Sequence, residues 1–192
     1  MRRVFAYLLN RRGIDKDVLY AFVRKKMIYE SAQYHNVVFV GFDKDGIPRH
    51  ANKRGTGSAS TYKGNAVGSA PEYSFHWNGR SDRLYLFEAP IDMLSFISMN
   101  KHCWRDHSYA AACSVSDKVL FQCLSDNPAV SKVSICFDSD EPGQLAAQRI
   151  TAKLVMQNIE SEILVPVNKD WNEDLLFGDG LEVEESCQIL RR

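Results

Sequence analysis

The stretch "SKVSICFDSDEPGQLAAQRI", Ser131 to Ile150, decides the fold. Its apolar run, Val133 to Phe137, has the length of a strand, ends on Asp138-Ser139-Asp140, and is followed by an amphipathic segment led by Pro142. An uninterrupted apolar strand that runs into a helix is the repeating half of a parallel sheet covered on both faces. The same rhythm recurs on either side. "LYLF" (84–87) precedes a helix from Pro90 to about Met99, and "YAAAC" (109–113) precedes a helix from Asp117 to Leu124. The helix after Asp140 extends to Asn158, and "EILVPV" (162–167) supplies a fourth strand. The expectation for 82–178 is an α/β unit of four parallel strands flanked by helices.

Residues 1–80 read differently, as a small α+β domain. Val4, Tyr7 and Leu8 have helical spacing with Gly13 as a stop, and Asp15 can cap a second helix whose inner face is Val18, Leu19, Phe22 and Val23. Val37 to Phe42 reads as a strand, Asp43-Lys44-Asp45-Gly46 as a turn, and Ile47 onward as the return strand. The Gly/Ser-rich segment Gly55 to Ser69, "GTGSASTYKGNAVGS", reads as a loop, and 179–192 as a C-terminal tail.

The formal net charge of zero hides an asymmetry. Residues 1–80 carry 14 Lys and Arg against 6 Asp and Glu, a net +8, and residues 81–192 carry 10 against 18, a net −8. A basic module beside an acidic one suits a polyanion held by the first and a metal held by the second. The longest apolar runs are strand-sized, and no apolar stretch with a small-residue cleavage site follows Met1-Arg2-Arg3, so neither a membrane span nor a signal peptide is expected. Five cysteines without a C-x-x-C pair suit a reducing cytoplasm and leave a zinc site unsupported. His102, Cys103 and His107 read as a solvated helix end rather than a metal cluster.

In a parallel sheet, ligands sit outside the carboxyl ends of the strands. Glu88 ends the first strand, Asp138 and Asp140 end the third, and Asp170 soon follows the fourth. Each acid alone also reads as a helix cap or a first-turn partner of the helix dipole, Asp92 included. Their joint placement along one sheet edge favours a hard divalent cation, since Mg²⁺ takes a few carboxylates, several waters and substrate phosphates. On the basic side, Arg11, Arg12, Arg49, Lys53, Arg54 and Lys63 are candidates for phosphate contact, with nearby glycines permitting close approach. No G-K-[S/T] occurs, which excludes a Walker loop. Tyr62 and Tyr73 can stack on bases, whereas Phe75 and Trp77 read as core.

Glu88-Ala-Pro-Ile-Asp92 followed by Asp138-Ser-Asp140-Glu-Pro-Gly143 resembles the Toprim domain of bacterial primases, topoisomerases, certain nucleases and a recombination-repair protein. Lys169-Asp170-Trp171-Asn172-Glu173-Asp174-Leu175 resembles the segment after the last Toprim strand in primase-like members. Upstream, "YLLNRRGI", "HNVVFVGFDKDG" and "KRGT" resemble a domain found ahead of Toprim modules in proteins of bacterial plasmids and conjugative elements. The family pattern departs at Ala89, where a Gly often stands, and in the lack of a zinc-binding cysteine pattern.

The resemblance implies Mg²⁺- or Mn²⁺-dependent phosphoryl transfer on nucleic acid, a primase-like function in mobile-element DNA replication. Under it Asp138 and Asp140 bind metal, Glu88 shares the metal or acts as general acid/base, and Asp92 supports them. Asp170 and Lys169 are possible additional members. The implied partners are DNA, single-stranded foremost, or RNA. A separate zinc-bearing primase-like protein, a helicase or a relaxase is also implied, with no membrane and no zinc in this chain. Toprim nuclease action and a non-catalytic DNA-binding or assembly role are the alternatives. A haloacid-dehalogenase-like phosphatase ranks last, because its Asp motif follows the first strand of the domain and position 142 is Pro. A topoisomerase lacks room for its tyrosine-bearing domain.

Overall fold

The computed structural model describes residues 1–113 and 116–178, so the expected tail 179–192, with Cys187, lies outside the described residues. The chain opens with α1 (Arg2–Phe5), which passes directly into a π-helical stretch, Ala6–Arg11. The widened turn is seen in Arg12 N–H donating to Tyr7 O at 3.0 Å, five residues back, and Gly13 then leaves the helix at φ +68°. Asp15 caps α2 (Lys16–Arg24), its carboxylate accepting from Asp17 N and Val18 N. A four-stranded antiparallel sheet follows in spatial order β1 (Ile28–Glu30), β2 (Val37–Phe42), β3 (Pro48–Arg54) and β4 (Lys63–Asn65). β1 was not expected, and β4 falls inside the segment read as loop. Lys63–Asn65 lacks an apolar pattern and is a strand because β3 supplies its ladder.

The second sheet has five strands in the order β5 (His76–Trp77), β7 (Ser108–Ala111), β6 (Arg83–Phe87), β8 (Lys132–Cys136) and β9 (Glu160–Ile163). β6, β7, β8 and β9 are parallel, the first three on buried apolar runs and β9 on the half-exposed Glu-Ser-Glu-Ile at the sheet edge, and β5 adds an antiparallel edge that two residues are too few to announce. The helices are α3 (Pro90–Met99), α4 (Lys118–Asp126), α5 (Glu141–Val155) and α6 (Trp171–Phe177). The strand expected at 162–167 forms two residues earlier, where Lys132 to Ile135 of β8 offer partners.

This order places a topological switch between β6 and β8. The chain leaving β6 turns through α3 toward β7, while the chain leaving β8 turns through α5 toward β9 on the other side. Adjacent strands whose connections diverge open a crevice at their carboxyl ends.

One apolar core joins the two sheets. Phe22 of α2 packs against Phe75, Trp77 and Trp104 with ring centroids 5.2–5.6 Å apart, and Phe39 of β2 meets Phe75 at 5.3 Å. Further along, Trp171 packs edge-on against Phe96 at 5.0 Å and donates its indole N–H to Cys136 O at 2.9 Å. That bond ties the start of α6 to the end of β8. A second cluster, built on Leu84, Leu86, Val133 and Ile135, packs the opposite sheet face against α4 and α5. Among the described residues Cys113, Cys123 and Cys136 are free thiols. Among the described residues no helix is long and apolar enough to cross a membrane.

Candidate acidic site and facing basic strands

Glu88 directly follows β6, and Asp138 follows β8 by two residues, so the switch crevice opens between them. Asp138 N–H donates to Glu88 Oε1 at 3.2 Å. A Cβ on Gly143 would stand 2.7 Å from Glu88 Oε1, 2.7 Å from Asp138 O and 3.1 Å from Asp140 Oδ1. Only glycine fits there, and three oxygens converge above it.

Asp140 and Asp170 play the capping role that an acid at a helix start suggests. Asp140 Oδ1 accepts from Gly143 N at 2.9 Å at the head of α5, and Asp170 Oδ1 accepts from Glu173 N at 2.8 Å at the head of α6. Glu88 does not cap α3, whose N-cap is Ala89. Asp92, in the first turn of α3, is buried beneath the crevice. Ser139 N–H and Oγ–H both donate to Lys169 O, at 3.0 and 3.2 Å, which clips the β8–α5 turn to the turn ahead of α6.

The electrostatics follow from this crowding. Burial, then the charges of Glu88, Asp170 and Asp140, push the Asp138 carboxyl up to about 7, partly offset by Lys169. Burial raises Asp92 well above the usual range, with Asp138, Asp170 and Glu88 adding to it. Glu88 is raised by burial and by Asp140, against the pull of Asp138 N–H and Lys63. Buried like charges disfavour one another's ionised forms.

The basic strands face this site. Arg54 of β3 and Lys63 of β4 are register partners and therefore share one sheet face. Arg54 lowers the proton affinity of Asp92, and Lys63 that of Glu88. Lys53 pairs with Val38 and Gly64, on the opposite face of β3. Arg49 Nε binds Asp43 Oδ2 at 2.7 Å beside the hairpin turn. Arg11 donates to Gly57 O and Ser58 O, and Arg12 to Tyr7 Oη and Asn172 Oδ1. Of the six basic candidates, Arg54 and Lys63 are the two whose charge reaches the acidic residues. Phe75 and Trp77 are buried, and Tyr62 is exposed.

The donor set fits a hard cation. It is all oxygen, and Asp138 Oδ1 is buried without a hydrogen-bond partner. Among the described residues no group of three or more His, Cys, Asp or Glu stands ready to close on an ion, and this includes His102, Cys103 and His107. Asp140 and Asp170 each spend one carboxylate oxygen on a helix-capping N–H, whereas Glu88 Oε1 accepts from Asp138 N and is drawn toward the acidic cluster. Sequence reading missed Gln144 and gave no individual role to Asn172 and Asp174, which lie in the segment it matched to primase-like members. Gln144 Nε2 donates to Asp138 O at 2.8 Å, and the Asp174 carboxylate accepts from Val167 N, Asn168 N and Asn168 Nδ2 at 2.7–2.9 Å. The visible signals were the resemblance of the 169–175 segment and the first-turn position of Asp174 in "DWNED".

Residues 85–175 match the family model described as Toprim-like, and residues 6–81 match the one described as protein of unknown function (DUF3991). A plasmid-encoded uncharacterized protein of Bacillus anthracis is 27% identical over 160 residues, covering 77% of this chain and 46% of its own length. The chain thus spans less than half of that relative. The primase fragment of the bacteriophage T7 primase-helicase protein superposes with a TM-score of 0.66 at 19% identity, over 88% of this chain and 69% of that one. The DnaG primase catalytic domain bound to ssDNA superposes at 0.60 and 15% identity, over 91% of this chain and 69% of that one. The chain carries a Toprim-like domain preceded by a DUF3991 domain, on a fold shared with primases.

Proposed function

We propose that this Toprim-like domain performs Mg²⁺- or Mn²⁺-dependent phosphoryl transfer on nucleic acid, in a primase-like role in replication or processing of mobile-element DNA in the cytoplasm. One observation carries the reading. At the switch crevice the buried Asp138 Oδ1 has no hydrogen-bond partner, in a carboxyl whose pKa is pushed up to about 7, beside Asp92 and Glu88, which feel the charges of Arg54 and Lys63. A carboxylate held buried, crowded and unsatisfied weakens the fold, so its retention points to a ligand.

In this reading Asp138, Asp140 and Glu88 hold the metal, and Asp92 and Asp170 support them. A cation held by these residues would supply positive charge to offset that developing on the phosphoryl group. Arg54 and Lys63 hold the substrate's phosphates across the crevice, and where Glu88 does not share the metal, its raised proton affinity suits it to exchange a proton with the attacking or leaving oxygen. Single-stranded DNA is the proposed template, with a zinc-bearing partner, a helicase or a relaxase assisting.

The second reading is a binding or assembly module. It is favoured by Asp140 and Asp170 being engaged as helix caps. The test is a gel assay with labelled single-stranded DNA, ribonucleotides and Mg²⁺ or Mn²⁺, with wild type beside Asp138→Asn/Asp140→Asn. Longer products absent from the variant support primase-like synthesis, and shorter ones a nuclease. Equal activity in both proteins rules out the metal assignment. A salt-sensitive gel shift without products supports the binding module.

A further inference from the structure

Arg11 and Arg12 end the π-helical stretch, with their guanidinium carbons 5.7 and 5.3 Å from the Tyr7 ring centroid. Their side chains then part. Arg11 Nη1 and Nη2 donate to the carbonyls of Gly57 and Ser58 at 3.0 and 3.2 Å. Arg12 Nε donates to Tyr7 Oη at 3.0 Å and Nη1 to Asn172 Oδ1 at 3.0 Å. Asn172 is 2% exposed, and its amide is used on both sides. Asn172 Nδ2 donates back to Arg12 O at 2.8 Å and to Ser95 Oγ at 2.9 Å. Ser95 Oγ–H in turn donates to Ile91 O at 2.8 Å. A further bond runs alongside, from Asp15 N to Ser98 Oγ at 3.0 Å.

The chain of bonds joins three elements at the depth of the acidic site. Asn172 lies two residues beyond Asp170, and Ser95 lies three beyond Asp92, one helical turn along α3. Both partners of the tie are therefore on the helices that carry these two acids. A guanidinium with Nε and Nη1 engaged inside the protein is poorly placed to grip a phosphate. Its planar fork is suited to fixing a buried amide in one orientation. Buried networks of this kind hold geometry because each lost member leaves others unsatisfied.

We propose that Arg12 is a positioning residue of the acidic site, acting through Asn172 to hold the head of α6 against α3, and is not a contact to nucleic acid. The inference rests on the metal reading given above. Outer groups that fix a metal site typically change metal affinity by about 10- to 100-fold when removed, and Arg12 would act through the helices carrying Asp170 and Asp92, the supporting acids.

The test measures Mn²⁺ affinity by calorimetry in wild type, Arg12→Ala, Asn172→Ala and the double variant. It is paired with hydrogen exchange at the Glu173 amide, which reports the Asp170 cap without metal. Each single variant is expected to bind Mn²⁺ about 10-fold more weakly, with the double no worse than the weaker single. Glu173 is expected to exchange faster while the amides of β8 keep their protection. Should Arg12→Ala fail to fold, Arg12→Lys decides, because a phosphate contact tolerates the ammonium and a planar tie does not. Unchanged Mn²⁺ affinity and Glu173 exchange in a folded variant, with weaker single-stranded DNA binding instead, overturns the proposal, as do additive effects in the double. If wild type itself takes up no Mn²⁺, the metal reading falls, while the Glu173 exchange still decides whether Arg12 holds α6.

Discussion

Two aspartates lie after the central and outer parallel strands, Asp138 half-buried and Asp174 fully buried, and their surroundings are opposite. Asp174, fully buried, accepts three N–H bonds from Val167 and Asn168, so both its oxygens are satisfied. Asp138, after β8, has one buried oxygen without a partner and carboxylates on several sides. A chain that can satisfy one carboxylate with backbone donors can satisfy another, so under the proposed function the contrast separates a structural acid from one left open for a ligand. The charges beyond them sharpen it. Arg54 and Lys63 face the acids around Asp138, while Asp174 looks inward to its own loop.

The contrast is tested first on stability, where the effect is largest. Asp174→Ala leaves the N–H groups of Val167 and Asn168 without acceptors and should cost about 3 kcal/mol. Asp138→Asn removes crowded charge instead and should leave the metal-free protein at least as stable at pH 8. Urea unfolding of the two variants beside wild type reads both. If Asp138→Asn is the more damaging change, Asp138 is the structural acid and the distinction collapses.

The two residues also differ in how they read from sequence, for the same physical reason. Asp138 sits where an apolar strand stops and a Pro-led helix begins, a local pattern that exposes it within "CFDSDEP". The three inner parallel strands and the acids that end them were legible in the same way, because burial on both faces writes long apolar runs, whereas the half-exposed edge strand Glu160–Ile163 was placed two residues late. Asp174 and Asn172 offer no such pattern. Asn172 has its meaning from Arg12, 160 residues earlier in the chain, and a contact that distant leaves no periodicity. β4 was hidden because its ladder belongs to β3, and the helix-cap use of Asp140 was only one of two open readings. Arg54 and Lys63 differ from Lys53 and Arg49 only by which face or end of β3 they occupy, and composition does not encode that.

The next test is pH. Folding raises the Asp138 carboxyl from its ordinary 3.8 to about 7, so the folded state prefers the protonated form. Its contribution is fully present below about pH 4 and is lost as pH rises through about 7. Asp138 is partly exposed, so solvent screening trims the effect to about 1–2 kcal/mol. Metal-free wild type should therefore lose stability across this window, and Asp138→Asn should lose less. Millimolar Mg²⁺ should restore the loss above pH 7, because it binds the ionised form. A thermal-melt series with and without Mg²⁺ measures this, and parallel curves for wild type and Asp138→Asn would count against an open acid at this position.

The smallest effect concerns the cations across the crevice. If the open acid marks where a phosphate goes, the charges facing it carry the salt dependence of nucleic-acid binding. Each phosphate contact contributes a slope of about 0.9 in log affinity against log salt on duplex DNA, or about 0.7 on a single strand. Arg54→Ala should therefore weaken single-stranded DNA binding and reduce the slope by about 0.7. Arg49, locked to Asp43 beside the β2–β3 turn, should leave the slope unchanged when replaced by Ala. Fluorescence anisotropy over a salt series distinguishes the two. Equal losses for Arg49→Ala and Arg54→Ala would mean a diffuse basic surface with no relation to the acidic crevice. A loss confined to Arg54→Ala ties the cation on β3 to the acids at the switch point, because Arg54 is the residue whose charge reaches Asp92.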